Sequence, residues 1–223
     1  MDGKEAMIVN DNDNLYYDAK DLATTVSQHY TNNPELATGY VGEDDKVQGY
    51  SVGLDFTMTS QHMYGIPERA NTFSLNVTHY DKPYRLFNQD MAPHFGENGS
   101  LYGSVPYIMG HSQEIDTSVA WMNSAETFVF INEAHMGERL NAAFISEGNA
   151  LEFYLMAAEG APKKLQKKLS ELTGYTEMPP IHSLGYHFSK WENMTAHDMV
   201  ARSHDFDHHN FPVDVFWFDI EYS

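Results

Sequence analysis

The residues best placed for chemistry lie near the C-terminal end of the sequence, directly after an apolar run. Residues 213–220, VDVFWFDI, are almost all apolar, and Asp219 stands near the end of this run with Glu221 two residues later. Side chains two residues apart on a strand point to the same face, so both carboxylates would project to one side. In parallel α/β proteins, substrates bind at the carboxyl ends of strands. Asp219 is therefore either a ligand of a polar substrate or a residue that caps the following loop, and for Glu221 the capping role is favoured.

Two other groups of polar residues could form sites. Asp90 follows a strand-like stretch and precedes an irregular segment, residues 91–100. Loops on a rigid scaffold often carry function, but from the pattern alone Asp90 is one acidic loop residue among many. Three histidines and two aspartates lie between His204 and His209. They fall at a predicted helix end and in its following loop, where such residues are commonly solvated, so no metal site is predicted there.

The first elements that would position these residues are short strands. Apolar strands separated by Gly and Pro follow one another, which predicts an antiparallel β-sandwich over residues 46–160. One expected strand is Thr72–Tyr80, where apolar residues alternate along the chain. Residues 1–45 are polar and acidic and are expected to be loosely ordered or peripheral.

The pattern changes at Pro162. This proline suits the first turn of a helix that would end at Gly174, and residues 161–178 are predicted to form a linker helix. Residues 179–223 are predicted to open a parallel α/β domain with a strand over Ile181–Phe188, a helix, and the final apolar strand. Two parallel strands would leave an apolar edge bare, so the chain is expected either to be the N-terminal part of something longer or to need other segments to complete its sheet.

The composition excludes several classes of function. The chain has 32 Asp and Glu against 13 Lys and Arg, and a formal charge of −19 argues against nucleic-acid binding. It has no cysteine, which excludes disulfides and thiolate metal sites. No stretch approaches the roughly 20 apolar residues of a membrane-spanning helix, so none is predicted. The first residues show no apolar signal region, so either the protein is cytosolic or this start is not the natural one.

A series of ordered motifs resembles the catalytic α subunits of endoplasmic-reticulum glucosidase II, which are family-31 glycoside hydrolases. The motifs are Ser51–Phe56, Tyr64–Ala70, Pro83–Asn88, Leu101–Pro106, Trp121–Thr127, Ser183–His187 and Trp217–Glu221. The resemblance runs from about Gly49 to the last residue, and residues 1–45 match only weakly. It implies a mixed fold: an N-terminal antiparallel β-sandwich of the galactose-mutarotase type, followed by the first two strands of a (β/α)8 TIM barrel that begins near Pro179.

The resemblance also implies an activity. These enzymes work in the endoplasmic-reticulum lumen with a β subunit and no cofactor, and they remove terminal α-1,3-linked glucose from N-glycans with retention. Retaining glycosidases use two carboxyl groups roughly 5 Å apart. In this family both are aspartates on later barrel strands, and neither lies within these 223 residues. The chain is therefore expected to bind a glucosylated oligosaccharide together with the remainder of the catalytic chain, and to be inactive alone.

The resemblance assigns roles to two residues. Asp219 matches the family's aspartate that hydrogen-bonds glucose hydroxyls at the end of the second barrel strand, and Asp90 matches the aspartate of a sandwich loop that helps close the sugar pocket. The loop beyond Asp90 departs from the family pattern, so Phe95 is assigned no role. Sequons at Asn98 and Asn76 are expected glycosylation sites in a secretory context. The alternatives are another family-31 α-glucosidase or α-xylosidase, and a non-catalytic carbohydrate-binding protein.

Overall fold

The computed structural model describes Gly3 and residues 5–17, 51–79, 82–134, 139–147 and 151–220, with Tyr16 and Tyr17 described by their backbone alone. The chain divides into two compact units, Met1–Thr173 and Gly174–Ser223. In the described part of the chain, no helix is both long enough and apolar enough to cross a membrane.

The first unit is built from short antiparallel strands. Within its described residues the strands are, in chain order, β1 (Met7–Val9), β2 (Tyr16–Tyr17), β3 (Ser51–Met58), β4 (Met63–Gly65), β5 (Tyr84–Leu86), β6 (Tyr107–Gly110), β7 (Asp116–Trp121), β8 (Thr127–Glu133), β9 (Leu140–Glu147) and β10 (Phe153–Ala158). One sheet has the order β1-β3-β9-β8-β5, with β2 also paired to β3, and the other has the order β10-β7-β6-β4. This arrangement confirms the predicted antiparallel β-sandwich.

The core lies between apolar faces of the two sheets. Along β3 every second residue is apolar and buried, from Val52 to Met58, as expected for one face of a strand. Phe56 and Phe144 come from the first sheet and contact Trp121 of the second, with ring centroids 6.4 Å and 5.4 Å from the indole. The Trp121 indole nitrogen donates to Ser146 Oγ at 2.7 Å, so its one polar atom is satisfied in the core.

The outer face of β3 carries a buried carboxylate that fixes the N-terminal segment. Asp55 is fully buried, and its carboxylate accepts hydrogen bonds from the backbone NH groups of Asn12 and Asn14 and from Asn141 Nδ2. The segment expected to be loosely ordered thus includes a strand, β1, whose register pairs Met7 with Met58, and a turn that binds Asp55. The rest of that segment, from residue 18 onward, lies outside the described residues.

A helix ends the first unit. Helix α1 (Pro162–Thr173) begins at the predicted proline and buries Leu165 completely. It stops at Gly174, whose φ of +94° belongs to the left-handed region that glycine adopts without strain. A helix is therefore present where the sequence predicts one, although it spans 162–173 and not the whole of 161–178.

The second unit contains a strand, a helix and a strand. A 3-10 helix (Ile181–Leu184) precedes β11 (His187–Phe188), and α2 (Ala196–His208) leads to β12 (Val215–Phe216). Strands β11 and β12 pair in parallel with His187 opposite Val215. This is the predicted opening of a parallel α/β unit, and five partly exposed rings contact one another in it: Tyr186, Phe188, Phe206, Phe211 and Phe216.

Three predicted strands differ from the structure. The final strand, expected over the apolar run 213–220, is found only at Val215–Phe216. The segment Thr72–Tyr80 has no strand in its described residues. Leu75 is buried, but its alternating partners Phe73 and Val77 are exposed. The NH groups of Leu75 and Thr78 donate to Met63 O and Ile131 O, so the segment does not pair with one strand along its length. The predicted strand Ile181–Phe188 is correct only at its last two residues, because Pro180 precedes a 3-10 turn.

Candidate functional site

Asp90 lies at the surface in a loop that follows β5. The chain leaves β5 at Leu86, passes the exposed Asp90 and returns through residues 98–103. The returning segment runs beside the outgoing one: Arg85 NH donates to Asn98 O at 3.0 Å, and Gln89 NH donates to Leu101 O at 2.7 Å. The donors of these two hydrogen bonds lie on the N-terminal side of Asp90, and the bonds hold the loop close to the sandwich.

The partly buried guanidinium of Arg69 contacts the same loop through several hydrogen bonds. Its Nε donates to Ile66 O at 2.8 Å, and its two terminal nitrogens donate to Asn98 O at 2.6 Å and to Arg85 O at 3.3 Å. The guanidinium carbon also lies 5.0 Å from the centre of the Tyr84 ring. Burial lowers the pKa of Arg69 to about 10, so the group remains charged at neutral pH. One cation thus satisfies carbonyl oxygens on both arms of the loop.

Glu68 ties the end of the returning segment to the same region. Its backbone NH donates to Gly103 O at 2.8 Å, and the Gly103 NH donates to Glu68 Oε2 at 2.9 Å. A Cβ on Gly103 would lie 2.8 Å from the Glu68 carboxyl carbon, so the Glu68 side chain would have to shift to admit one.

Tyr102 contacts Asp90 directly. The Tyr102 hydroxyl donates to Asp90 Oδ1 at 2.5 Å, and Asn88 Nδ2 donates to Tyr102 O at 2.6 Å. The hydrogen bond to Asp90, and then the negative charge of that carboxylate, raise the pKa of Tyr102 above its ordinary value of 10.0. Asp90 is therefore an exposed carboxylate with one oxygen oriented by a neighbouring phenol.

Asp219 lies in the second unit, three residues after β12. It is exposed, and its Oδ1 accepts a hydrogen bond from the NH of Ile220 at 2.8 Å, which is a contact with the next residue along the chain. The backbone before it is fixed by the parallel pair, since Trp217 NH donates to Phe188 O at 2.9 Å. Asp219 thus lies just beyond the carboxyl end of a parallel strand, as predicted.

A tryptophan and a histidine connect the two parallel strands next to Asp219. Trp217 Nε1 donates to His187 Nδ1 at 2.8 Å, and His187 Nε2 lies 3.2 Å from Ser183 O. These two contacts assign the proton of the neutral His187 imidazole to Nε2, because Nδ1 accepts the hydrogen bond from Trp217. This link fixes the ring that precedes Asp219 by two residues.

A further polar cluster lines a groove of the sandwich. Arg85 forms an ion pair with Glu126, and Glu147 lies in the same groove. Burial, and then repulsion by Glu126, raise the pKa of Glu147, while Arg85 partly offsets the shift. The pattern of the sequence does not single out this cluster, because its three members come from three different strands or loops.

The remaining candidates from the sequence are the two sequon asparagines, the histidine-rich stretch and Glu221. Asn98 is half-buried, and its amide donates to Lys82 O at 2.8 Å, whereas Asn76 is exposed. The histidine-rich stretch at His204–His209 belongs to α2 and its end, and no group of three or more potential metal ligands converges within the described ranges. Glu221 lies outside the described residues.

Sequence reasoning missed Tyr102 and Arg69 as organisers of the Asp90 loop. Both belong to motifs that carry the family resemblance, Leu101–Pro106 and Tyr64–Ala70, yet their spacing from Asp90 follows no periodic pattern. Asp90 belongs to the first unit and Asp219 to the second.

Comparisons with known proteins match both units. Residues 2–129 match the glycosyl hydrolase 31 N-terminal galactose mutarotase-like domain, and residues 176–223 match the glycosyl hydrolases family 31 TIM-barrel domain. Neutral alpha-glucosidase AB of Mus musculus is 36% identical over 192 residues, covering 78% of this chain and 20% of that protein. The glucosidase 2 subunit alpha of Saccharomyces cerevisiae is 35% identical over 176 residues, covering 78% of this chain and 18% of that protein.

A solved structure covers the whole chain. A crystal structure of an ER glucosidase II heterodimeric complex, with the catalytic subunit and the binding domain of the regulatory subunit, superposes with a TM-score of 0.80 at 26% identity, over 100% of this chain and 26% of that one. The chain spans about a fifth of the length of the curated relatives it matches. On its domain matches, identity and fold, the chain belongs to glycoside hydrolase family 31.

Proposed function

We propose that this chain supplies substrate-binding groups to a retaining α-glucosidase that removes terminal α-1,3-linked glucose from N-glycans. The observation that carries the proposal is the likeness of the whole chain to glucosidase II α subunits. Structures of that subunit in Glc1Man2-bound and alpha3-Glc2-bound forms superpose on 100% of this chain with TM-scores of 0.78 and 0.75, at 27% and 26% identity.

Asp219 and Asp90 are the groups proposed to bind the sugar. Both are exposed carboxylates, and an ionised carboxylate accepts strong hydrogen bonds from neighbouring sugar hydroxyls. Asp219 would bind the glucose unit at the mouth of the barrel, because it lies at the carboxyl end of a parallel strand, where barrel enzymes bind their substrates. Asp90 would contribute from a loop of the sandwich.

The reaction class is tested with the full-length gene product. We expect it to release glucose from α-1,3-linked glucose disaccharides faster than from α-1,4-linked ones, with retention of the anomeric configuration. A preference for the α-1,4 linkage or for α-xylosides would assign the protein to another activity of the family. Glucose release by residues 1–223 expressed alone would contradict the proposal that the catalytic pair lies outside them.

The role of Asp219 is tested by its amide variant. In the full-length gene product, Asp219→Asn keeps the shape of the side chain but removes the charge, so kcat/KM should fall by about 100-fold or more with the fold intact. Asp207→Asn changes an exposed aspartate of α2 in the same unit and should leave kcat/KM unchanged. Kinetics of Asp219→Asn close to those of the wild type would refute the assignment.

The role of Asp90 is tested by truncation. Asp90→Ala should raise KM by about 10-fold with a smaller effect on kcat, because a loop carboxylate that binds the sugar in the ground state contributes uniform binding. Glu97→Ala removes another exposed carboxylate of the same loop and serves as the control. An unchanged KM in Asp90→Ala would show that Asp90 is an ordinary surface residue.

The proposal extends to a partner and a compartment. The similar ER glucosidase II structure is a complex of the catalytic subunit with the binding domain of a regulatory subunit. This likeness supports assembly of the full-length gene product with a glucosidase II β subunit in the endoplasmic-reticulum lumen. Co-purification of the two subunits tests the first statement. A change in electrophoretic mobility after enzymatic removal of N-glycans tests the second. The exposed Asn76 is a better candidate acceptor of the glycan than Asn98, whose amide donates to Lys82 O.

A further inference from the structure

Tyr102 makes a side-chain contact that the proposed sugar-binding role of Asp90 does not itself require. Its hydroxyl lies 2.5 Å from Asp90 Oδ1, although Tyr102 is 68% exposed. An exposed tyrosine contributes little to the core, so this geometry is not a by-product of packing. The ring projects from the returning arm of the loop, and Asp90 projects from the outgoing arm.

The backbone on both sides of the pair is fixed. On one side Gln89 NH donates to Leu101 O at 2.7 Å, and on the other Glu68 exchanges two hydrogen bonds with Gly103. Asn88 Nδ2 in addition donates to Tyr102 O. The two side chains therefore face each other from positions with little freedom, and the phenol limits the rotamers of the carboxylate.

We propose that Tyr102 is a positioning residue, which holds Asp90 Oδ1 so that Oδ2 remains directed to a sugar hydroxyl. This inference rests on the proposed role of Asp90 in substrate binding. A carboxylate that is already oriented loses less conformational entropy when the sugar binds, and the loss of that preorganisation weakens binding without changing the reacting groups. Tyr102 itself is not required to touch the sugar.

The chain offers a matched control in Tyr154. Its hydroxyl donates to Glu152 Oε1 at 2.8 Å, and the residue is 38% exposed. Hydrogen bonding to Glu152 raises the pKa of Tyr154, as the hydrogen bond to Asp90 does for Tyr102. Tyr154→Phe thus removes the same kind of hydrogen bond at a place that the proposal does not involve.

The kinetic test uses the full-length gene product and an α-1,3-linked glucose disaccharide. Tyr102→Phe should raise KM by about 3- to 10-fold with kcat almost unchanged, because the variant loses the preorganisation of Asp90 but keeps the carboxylate that binds the sugar. Tyr154→Phe should leave both constants unchanged. The double variant Tyr102→Phe with Asp90→Ala should have the KM of Asp90→Ala alone, because Tyr102 acts through Asp90.

The outcomes separate the two proposals. If Asp90→Ala raises KM while Tyr102→Phe does not, the positioning role is wrong and the role of Asp90 stands. If the effects of the two substitutions multiply in the double variant, Tyr102 acts independently of Asp90 and the positioning role is again wrong. If Asp90→Ala leaves KM unchanged, both the sugar-binding role of Asp90 and the positioning role fail.

A spectroscopic measurement tests the contact without activity. In protein labelled with carbon-13 at the tyrosine ring, the Tyr102 resonance is identified by its absence in Tyr102→Phe, and its pKa is followed by pH titration. Asp90→Asn should lower the pKa of Tyr102, because the variant removes the charge that now favours the protonated phenol. The same pKa with and without the Asp90 charge would show that the contact is not formed in solution, and would overturn the inference.

Discussion

The two candidate sugar ligands are both exposed aspartates, but their units hold them by different means. Asp90 is surrounded by hydrogen bonds between residues distant in sequence, which involve the partly buried guanidinium of Arg69 and the phenol of Tyr102. Asp219 follows a two-residue strand, and its carboxylate accepts a hydrogen bond from the next residue. The difference indicates that the side chains of Arg69 and Tyr102 reinforce the backbone hydrogen bonds of the first loop. The chain before Asp219 depends mainly on the pairing of β11 with β12, to which the Trp217–His187 bond adds.

The largest effect should come from removing the cation that braces the Asp90 loop. Arg69→Met keeps much of the side-chain volume but loses three hydrogen bonds from a charged donor to backbone carbonyls, so we expect a loss of stability of about 3–5 kcal/mol in the loop. Hydrogen exchange at the Arg85 and Gln89 amides measures it. Arg202→Met alters an exposed arginine of α2 and should change these rates little.

Equal exchange rates in the two arginine variants would contradict the view that side-chain bonds reinforce this loop. They would place the stability of the loop in its two backbone hydrogen bonds, as in the second unit.

The second unit should be most sensitive to a change in space between its elements. A Cβ on Gly185 would lie 2.0 Å from Asp214 Oδ2 and 2.9 Å from Asp214 Cβ, so Gly185→Ala forces the chain before β11 apart from the chain before β12. We expect a loss of about 1–3 kcal/mol, seen as faster exchange of the Trp217 amide. Gly99→Ala, which meets no atom within 4 Å, is the control.

The contact predicts a compensating substitution. Asp214→Gly removes the atoms that the new methyl group would meet, so the double variant should recover part of the protection of Trp217, although Tyr186 NH loses its bond to Asp214 Oδ2. If the double variant is no better than Gly185→Ala alone, steric contact with Asp214 is not the reason why glycine is needed.

Much of the fold could be predicted from the sequence because local patterns determine it. Helix α1 has a proline at its start and Gly174 at its end, and Thr195 caps α2, so the sequence predicts both helices correctly. The apolar parts of β7 and β8 are also predictable, because Val119–Trp121 and Phe128–Ile131 are short apolar runs separated by a turn. The parallel pairing of the last strand follows from its apolar run after a helix.

The errors and omissions arise where long-range contacts outweigh local pattern. The alternating residues of Thr72–Tyr80 suggest a strand, but Leu75 NH donates to Met63 O and Thr78 NH to Ile131 O, so the segment bonds to two strands of different sheets in turn. Tyr102 is 12 residues from Asp90, and no period predicts their contact. The assignment of Asp90 and Asp219 comes from a resemblance between motifs, and their roles stay predictions.

A smaller effect is expected at the start of α2. Thr195 and Asp198 form a capping box, in which Asp198 NH donates to Thr195 Oγ1 and the backbone NH of Thr195 donates to Asp198 Oδ2. Thr195→Ala should cost about 1 kcal/mol of helix stability, measured by exchange of the first α2 amides. Ser170→Ala, whose hydroxyl bonds within α1, is the control and should cost less.

The capping box also has a predicted pH dependence. Hydrogen bonds from the Thr195 side chain and backbone lower the pKa of Asp198 below its ordinary value of 3.8. A carboxyl group with a lowered pKa stabilises the folded state above its ordinary pKa, and this contribution is lost as the pH falls through the folded pKa. The difference between the wild type and Thr195→Ala should therefore shrink at pH below 3.8, and a difference that stays constant with pH would assign the effect to the hydroxyl alone.

The smallest effect should come from Glu147 in the groove of the sandwich, where the surroundings disfavour the ionised carboxylate. Burial and the nearby Glu126 raise the pKa of Glu147 above its ordinary value of 4.5, so its ionised form destabilises the folded state at neutral pH. Glu147→Gln should therefore increase the free energy of unfolding by less than about 1 kcal/mol at pH 7. The gain should vanish below the ordinary pKa, where the carboxyl is protonated in both states. Glu159→Gln, at an exposed position outside this groove, is the control. If Glu147→Gln instead destabilised the sandwich at pH 7, the attraction of Arg85 would outweigh burial, and this groove would be held by charge pairing as the Asp90 loop is held by Arg69.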